Sequence, residues 1–207
     1  MKRIAIDIND VIRDYTFRFL EVYREKYNGT CKLNYEDITD FDLFKVFDFS
    51  DVYGYPSKEA YNQFKYQDYA YDIFCMATTT DPQLTGDLNL WTQKTMKNYP
   101  NDKVPELLLV SPFETGLSIP STLAFLGRIG SRIREYYFPT DSMTIWDKCD
   151  ILITANPNLI QNKPENKTVI KIKAPYNKNV KGDFEYDNFT SLIREDGNKT
   201  LNALIND

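Results

Sequence analysis

Hydrophobic positions along the chain alternate between two periods. Residues 2–8 carry isoleucine at positions 4, 6 and 8 and run into the polar pair Asn9-Asp10, which predicts a buried strand entering a turn. Ile12, Tyr15, Phe19, Val22 and Tyr23 then recur at steps of three and four, predicting a helix that Asn28-Gly29 stops. The same rhythm returns later. Residues 106–110 read as a buried strand closed by Ser111. Ile119, Leu123, Leu126, Ile129 and Ile133 mark a helix with Pro120 in its first turn. Short strands are expected at 135–138, 151–153 and 169–172, and a weak terminal helix over 188–207.

The stretch between these two parts has another character. Residues 31–99 are crowded with aromatic and acidic side chains, among them Phe41, Phe44, Phe47, Phe49, Tyr53 and Tyr55, and contain no convincing strand. A helix is expected from Ser57, a good N-cap, through Phe64 toward Phe74, and another over 88–99. The predicted architecture is therefore an α/β core, 1–30 with 100–207, built on a Rossmann-like parallel sheet flanked by helices. A small helical cap, 31–99, is inserted after the first strand and helix. The aromatic run suits a small core, a surface for a protein partner, or a platform for stacking a nucleobase.

Composition narrows the chemistry. The 207 residues include no histidine and three cysteines (Cys31, Cys75, Cys149). That removes histidine-based nucleophilic triads, histidine-ligated zinc and a four-cysteine zinc site. A net charge of −5 argues against an extended nucleic-acid surface. The apolar run behind Lys2-Arg3 is too short for a signal-peptide core, and no stretch is long enough to span a membrane, so a soluble cytoplasmic protein is expected. Seventeen Asn, 17 Lys, 17 Ile and 15 Tyr suggest an AT-rich genome, such as that of a gut bacterium or its virus; a phage or virion setting is compatible with this.

What remains is chemistry by carboxylates, hydroxyls and lysine. Asp7 with Asn9-Asp10, then Ser111, then Lys148, then Thr154-Ala155-Asn156 fall at or just before the ends of successive predicted strands, which converge on one edge of a parallel sheet. A carboxylate nucleophile, a hydroxyl donor and a lysine gathered there would suit a phosphoryl group. Each has a plainer use: Asp7 as a turn carboxylate, Asp10 as the cap of the first helix, Lys148 as a solvated lysine, Cys149 as a buried apolar side chain.

The order of these residues resembles the haloacid dehalogenase superfamily, and most nearly its 5′(3′)-deoxyribonucleotidase branch. Asp7-Ile8-Asn9-Asp10-Val11 stands where that family has Asp-x-Asp-x-Val/Thr; Ser111 and Lys148 match its second and third motifs. Residues 148–157 resemble the approach to its acidic fourth motif. The resemblance implies Asp7 as nucleophile, Ser111 and Lys148 as phosphate ligands, and Mg²⁺ at Asp7; Asp7 with a backbone carbonyl makes a poor metal site unless Asp10 or Asp150 bends in. It also implies a general acid/base where Asn9 stands and carboxylates where Thr154 and Ala155 stand. An amide cannot exchange a proton at a useful rate, and losing a general acid removes on the order of 10²–10⁴ in rate. The expectation is a degenerate member of the fold, a binding or assembly module with a vestigial site for a nucleotide or phosphate. The alternative is an active Mg²⁺-dependent nucleotidase that forms an aspartyl-phosphate at Asp7.

Overall fold

The computed structural model describes residues 1–50, 54–98 and 104–206; Tyr53 and the end of the helix expected over 88–99 lie outside them. Six strands, β1 (Arg3–Asp7), β2 (Glu106–Val110), β3 (Glu135–Tyr137), β4 (Ile151–Thr154), β5 (Thr168–Ile172) and β6 (Phe184–Tyr186), form one sheet in the order β3-β2-β1-β4-β5-β6. Every pair is parallel. The helices are α1 (Tyr15–Lys26), α2 (Leu43–Val46), α3 (Lys58–Gln63), α4 (Leu84–Asn98), α5 (Ser118–Arg128), α6 (Pro157–Gln161), α7 (Phe189–Ile193) and α8 (Glu195–Asn206). The Rossmann-like α/β arrangement read from the sequence is the one observed. β6, α2 and α6 were not expected.

Strand alternation sorts the core into two layers. Ile4, Ile6, Leu107, Leu109, Ile151, Ile153 and Ile170 point to one face and pack against Leu84, Leu88 and Trp91 of α4, Phe125 of α5, and Phe189 and Leu192 of α7. Ala5, Leu108, Val110, Leu152 and Val169 point to the other, against Ile145, Trp146, Leu159 and Ile160.

The aromatic segment forms a third core. Phe19 and Tyr23 of α1 pack with Leu43, Phe47, Phe49, Tyr61, Phe64 and Phe74, all buried. Their rings meet mostly tilted or edge-on, with centroids 4.8 Å apart for Tyr23 and Phe47 and 5.1 Å for Phe19 and Phe47. Core formation therefore accounts for Phe47 and Phe49, whereas Tyr55 is exposed. The packing also redraws the expected division of the chain. α4 belongs to the sheet's core because Leu84, Leu88 and Trp91 face it, whereas α1 contributes its apolar stripe to the aromatic core of the inserted segment.

The helix expected from Ser57 begins as predicted, with the Ser57 hydroxyl accepting from Ala60 N, but its later turns widen. Phe64–Asp68 and Tyr71–Cys75 are π-helical, closed by Tyr69 N on Phe64 O and Met76 N on Tyr71 O. Such turns are uncommon and frequently mark functional sites.

Candidate ligand cleft

β1 lies between β2 and β4, so its carboxyl end is the centre of the sheet's edge. Asp7 is the last residue of β1 and is almost wholly buried. One oxygen, Oδ2, accepts from the Thr154 hydroxyl at 2.8 Å and the other from the Asn9 backbone N–H at 3.3 Å. Burial outweighs these bonds and pushes the Asp7 carboxyl up to about 7.

The chain then turns sharply. Asp10 adopts φ 56°, a left-handed conformation that Asp tolerates better than most residues. This turn aims its carboxylate at the start of α1, where Thr16 donates both its backbone N–H (2.8 Å) and its hydroxyl (2.5 Å). The Tyr176 hydroxyl donates to it as well, at 2.7 Å. Asp10 thus does the helix-capping work from outside the cap position, which Asp14 holds without a side-chain bond.

Asn9 is fixed by a network that sequence reasoning missed. Arg13 is fully buried; its Nε and Nη2 donate to Asn9 Oδ1 at 3.0 and 2.5 Å, and Nη2 also donates to Glu114 Oε1 at 2.8 Å. Its Nη1 donates to Phe74 O and to the Thr122 hydroxyl, which in turn donates to Glu114. The Asn9 amide donates onward to Ser111 Oγ at 3.1 Å, and Ser111 gives its own proton to Glu114 Oε1 at 2.7 Å. Ser111 is wholly buried, and its hydroxyl accepts from Asn9 and donates to Glu114. The available signals were Arg13, a cation four residues after Asn9 on an apolar stripe, and Glu114, three residues after Ser111.

Lys148 is displaced from its expected place. It follows a 3₁₀ turn, Ser142–Asp147, that leads to the start of β4, and Asp150 N bonds Arg3 O, level with the first residue of β1. The Lys148 side chain is exposed, with its amine 5.9 Å from the centre of the Tyr137 ring, and it does not line the cleft. Asp150 lies at that same amino end, where it accepts from Arg3 N and Lys167 Nζ. Cys149 is buried, as expected, and burial pushes its thiol up to about 12.

Between the sheet's edge and the cap lies a cleft of about 700 Å³. Asp7, Asn9, Phe113 and Asn156 line it from the core, Tyr15 from α1, and Phe41, Tyr61, Lys65 and Tyr66 from the cap; Tyr176 closes one side, with its ring 5.3 Å from Phe41.

This edge does not fit Mg²⁺. A small hard dication needs several oxygen ligands, charged ones foremost. Among the described residues Asp7 is the one carboxylate at the position; Asp10 is turned to Thr16 and Tyr176, and Thr154 directs its proton at Asp7. Ala155 contributes no side-chain oxygen. Among the described residues there is no group of three acidic or cysteine side chains that could hold a metal.

No protein-family model matches the chain, and no curated protein matches it in sequence. Among solved structures, it is similar to a protein from Burkholderia xenovorans LB400 described as a haloacid dehalogenase-like hydrolase. The TM-score is 0.56 at 8% identity, over 96% of this chain and 98% of the other. Among the described residues no helix is long and apolar enough to cross a membrane. At that identity the likeness shows the fold alone: a parallel sheet flanked by helices, shared with a protein described as a haloacid dehalogenase-like hydrolase.

Proposed function

We propose that this protein is a degenerate relative of the 5′(3′)-deoxyribonucleotidases that holds a small phosphate-bearing ligand, nucleotide-like in kind, in the cleft without hydrolysing it. The observation that carries this reading is the state of Asn9. Its amide stands where the general acid is needed, and Arg13, Ser111 and Glu114 hold it in a buried network. Loss of carboxylates at Thr154 and Ala155 supports the same conclusion, since nothing there offsets repulsion between Asp7 and an incoming phosphate. The cleft itself is retained, walled by aromatic rings on the cap side.

The test is phosphate release from nucleoside monophosphates and an aryl phosphate with Mg²⁺ present. The expected result is no release that depends on Asp7, with wild type and Asp7→Asn alike. Turnover abolished by Asp7→Asn would establish the aspartyl-phosphate route instead.

The network also governs attempts at restoration. A carboxylate introduced by Asn9→Asp would meet Arg13, whose guanidinium would hold it ionised and unfit to donate a proton. The triple variant Asn9→Asp, Thr154→Asp, Ala155→Asp is therefore expected to stay inactive, and to gain phosphatase activity only when Arg13→Met and Glu114→Leu are added together, so that neither charge of the buried pair is stranded. Activity in the triple variant alone would show that Arg13 does not silence this position.

A further inference from the structure

We infer that Lys65, a cap residue, is the anion-recognising group of the cleft, acting with the side-chain amide of Asn156 across the gap between cap and core. The inference rests on the reading of the cleft as a ligand site and adds which residues select the ligand: an oxyanion, phosphate or carboxylate, carried on a planar, largely apolar body.

Three observations place Lys65 in this role. It lies on the first π-helical turn, Phe64–Asp68, and lines the cleft. Its amine sits against three tyrosine rings, 4.7 Å from the centre of Tyr66, 5.3 Å from Tyr15 and 5.5 Å from Tyr61. Its one hydrogen bond among the described residues is a long one to the Tyr61 hydroxyl, 3.3 Å, and no described carboxylate stands within ion-pairing distance. A half-buried cation packed among rings without a counter-ion has an unmet charge, and proteins ordinarily pair it. Desolvation pulls the Lys65 amine down to about 8, with the charge of Glu114 opposing that shift. An anionic ligand would supply the missing partner.

The second donor comes from the core. Asn156 is 2% exposed and lines the same cleft. Its Oδ1 caps α6 by accepting from Asn158 N and Leu159 N, whereas its Nδ2 is buried with no partner. A buried amide N–H₂ without an acceptor carries a desolvation penalty that a ligand oxygen would relieve. Ser111 is satisfied internally and Lys148 lies outside the cleft, so these two groups provide donors the expected ones do not. The rings of Tyr15, Tyr61, Tyr66 and Phe113 would flank the ligand's body.

Calorimetric titration of the full chain with inorganic phosphate, thymidine 5′-monophosphate and thymidine tests this, in wild type, Lys65→Met, Lys65→Arg and Lys148→Met. The monophosphate is expected to bind wild type and to bind Lys65→Met about 10- to 100-fold more weakly, the loss of one charge-assisted hydrogen bond. Lys65→Arg should recover part of that affinity, Lys148→Met should match wild type, and thymidine should be indifferent to Lys65. Equal affinity in wild type and Lys65→Met, or a loss in Lys148→Met instead, would overturn the assignment while leaving the cleft a ligand site. Failure of wild type to bind either anion would overturn the ligand reading together with it.

Discussion

Glu114→Ala is expected to lower the stability of this protein by about 3–5 kcal/mol, the usual result of removing one partner from a buried ion pair. For a chain of this size that corresponds to a fall in Tm of about 6–20 °C. The reason is the isolation of Arg13. Its guanidinium is completely buried, and without Glu114 its hydrogen-bond partners would be the Asn9 amide, the Thr122 hydroxyl and a carbonyl, with the rings of Phe74 and Phe125 beside it and no carboxylate bonded to it. Ser111 would lose its acceptor in the same step. The double variant Arg13→Met, Glu114→Leu removes both charges and should be far less damaging than Glu114→Ala alone, because neither charge is left stranded. Urea unfolding of the two variants decides the matter. A loss below about 1 kcal/mol for Glu114→Ala would mean that the pair is not what holds Asn9 in place.

Asp7→Asn should act in the opposite direction and with a pH dependence. Burial raises the Asp7 carboxyl from 3.8 to about 7 in the folded protein. Between those values the folded state binds a proton that the unfolded chain has already released, so stability falls as pH rises through the window. The loss reaches its full size above pH 7, on the order of 4 kcal/mol by the conversion of about 1.4 kcal/mol per pKa unit. An amide at position 7 has no charge to desolvate. The variant should therefore be more stable than wild type by a few kcal/mol at pH 8, with little difference at pH 4. Thermal melts across that range give the comparison; a difference independent of pH would show that Asp7 is not a buried, raised carboxyl.

Strand and helix positions were readable wherever one period ran without interruption. Residues 106–110 alternate between two buried faces and appear as β2, and the steps from Tyr15 to Tyr23 appear as α1. What periodicity could not tell was the partner of each face. The stripe on α1 has the spacing of a sheet-packing stripe, yet Phe19 and Tyr23 bury themselves in the cap. The 88–99 helix sits next to the cap in sequence, yet Leu88 and Trp91 face the sheet. The widened turns at Phe64 and Tyr71 had no signature, since a π-turn differs from an α-turn by a single residue that the apolar spacing does not mark.

At the candidate site, order along the chain placed Asp7, Asn9 and Thr154 together at the central edge, because parallel strands bring their carboxyl ends into register. It placed Ser111 beside Asn9 as well, but not Lys148, and the partners of both side chains are set by neighbours invisible to spacing. A glutamate three residues on claims the Ser111 proton, and a 3₁₀ turn carries Lys148 away from the edge. Lys65, on the inserted segment, had no motif to announce it.

The shared aromatic core bears on how a ligand would enter. A cap joined to its base only through linkers can swing as a rigid lid, but here the rings of Phe47, Phe49, Tyr61 and Phe64 enclose side chains of α1, which itself begins eight residues after Asp7. Swinging the cap outward would expose that cluster to water or drag α1 with it, and Asp10 ties the first turn of α1 to Tyr176 on the far side of the cleft. Such a cleft is pre-shaped: little ordering remains to be done when a ligand arrives, and access depends on side chains at its mouth rather than on a hinge.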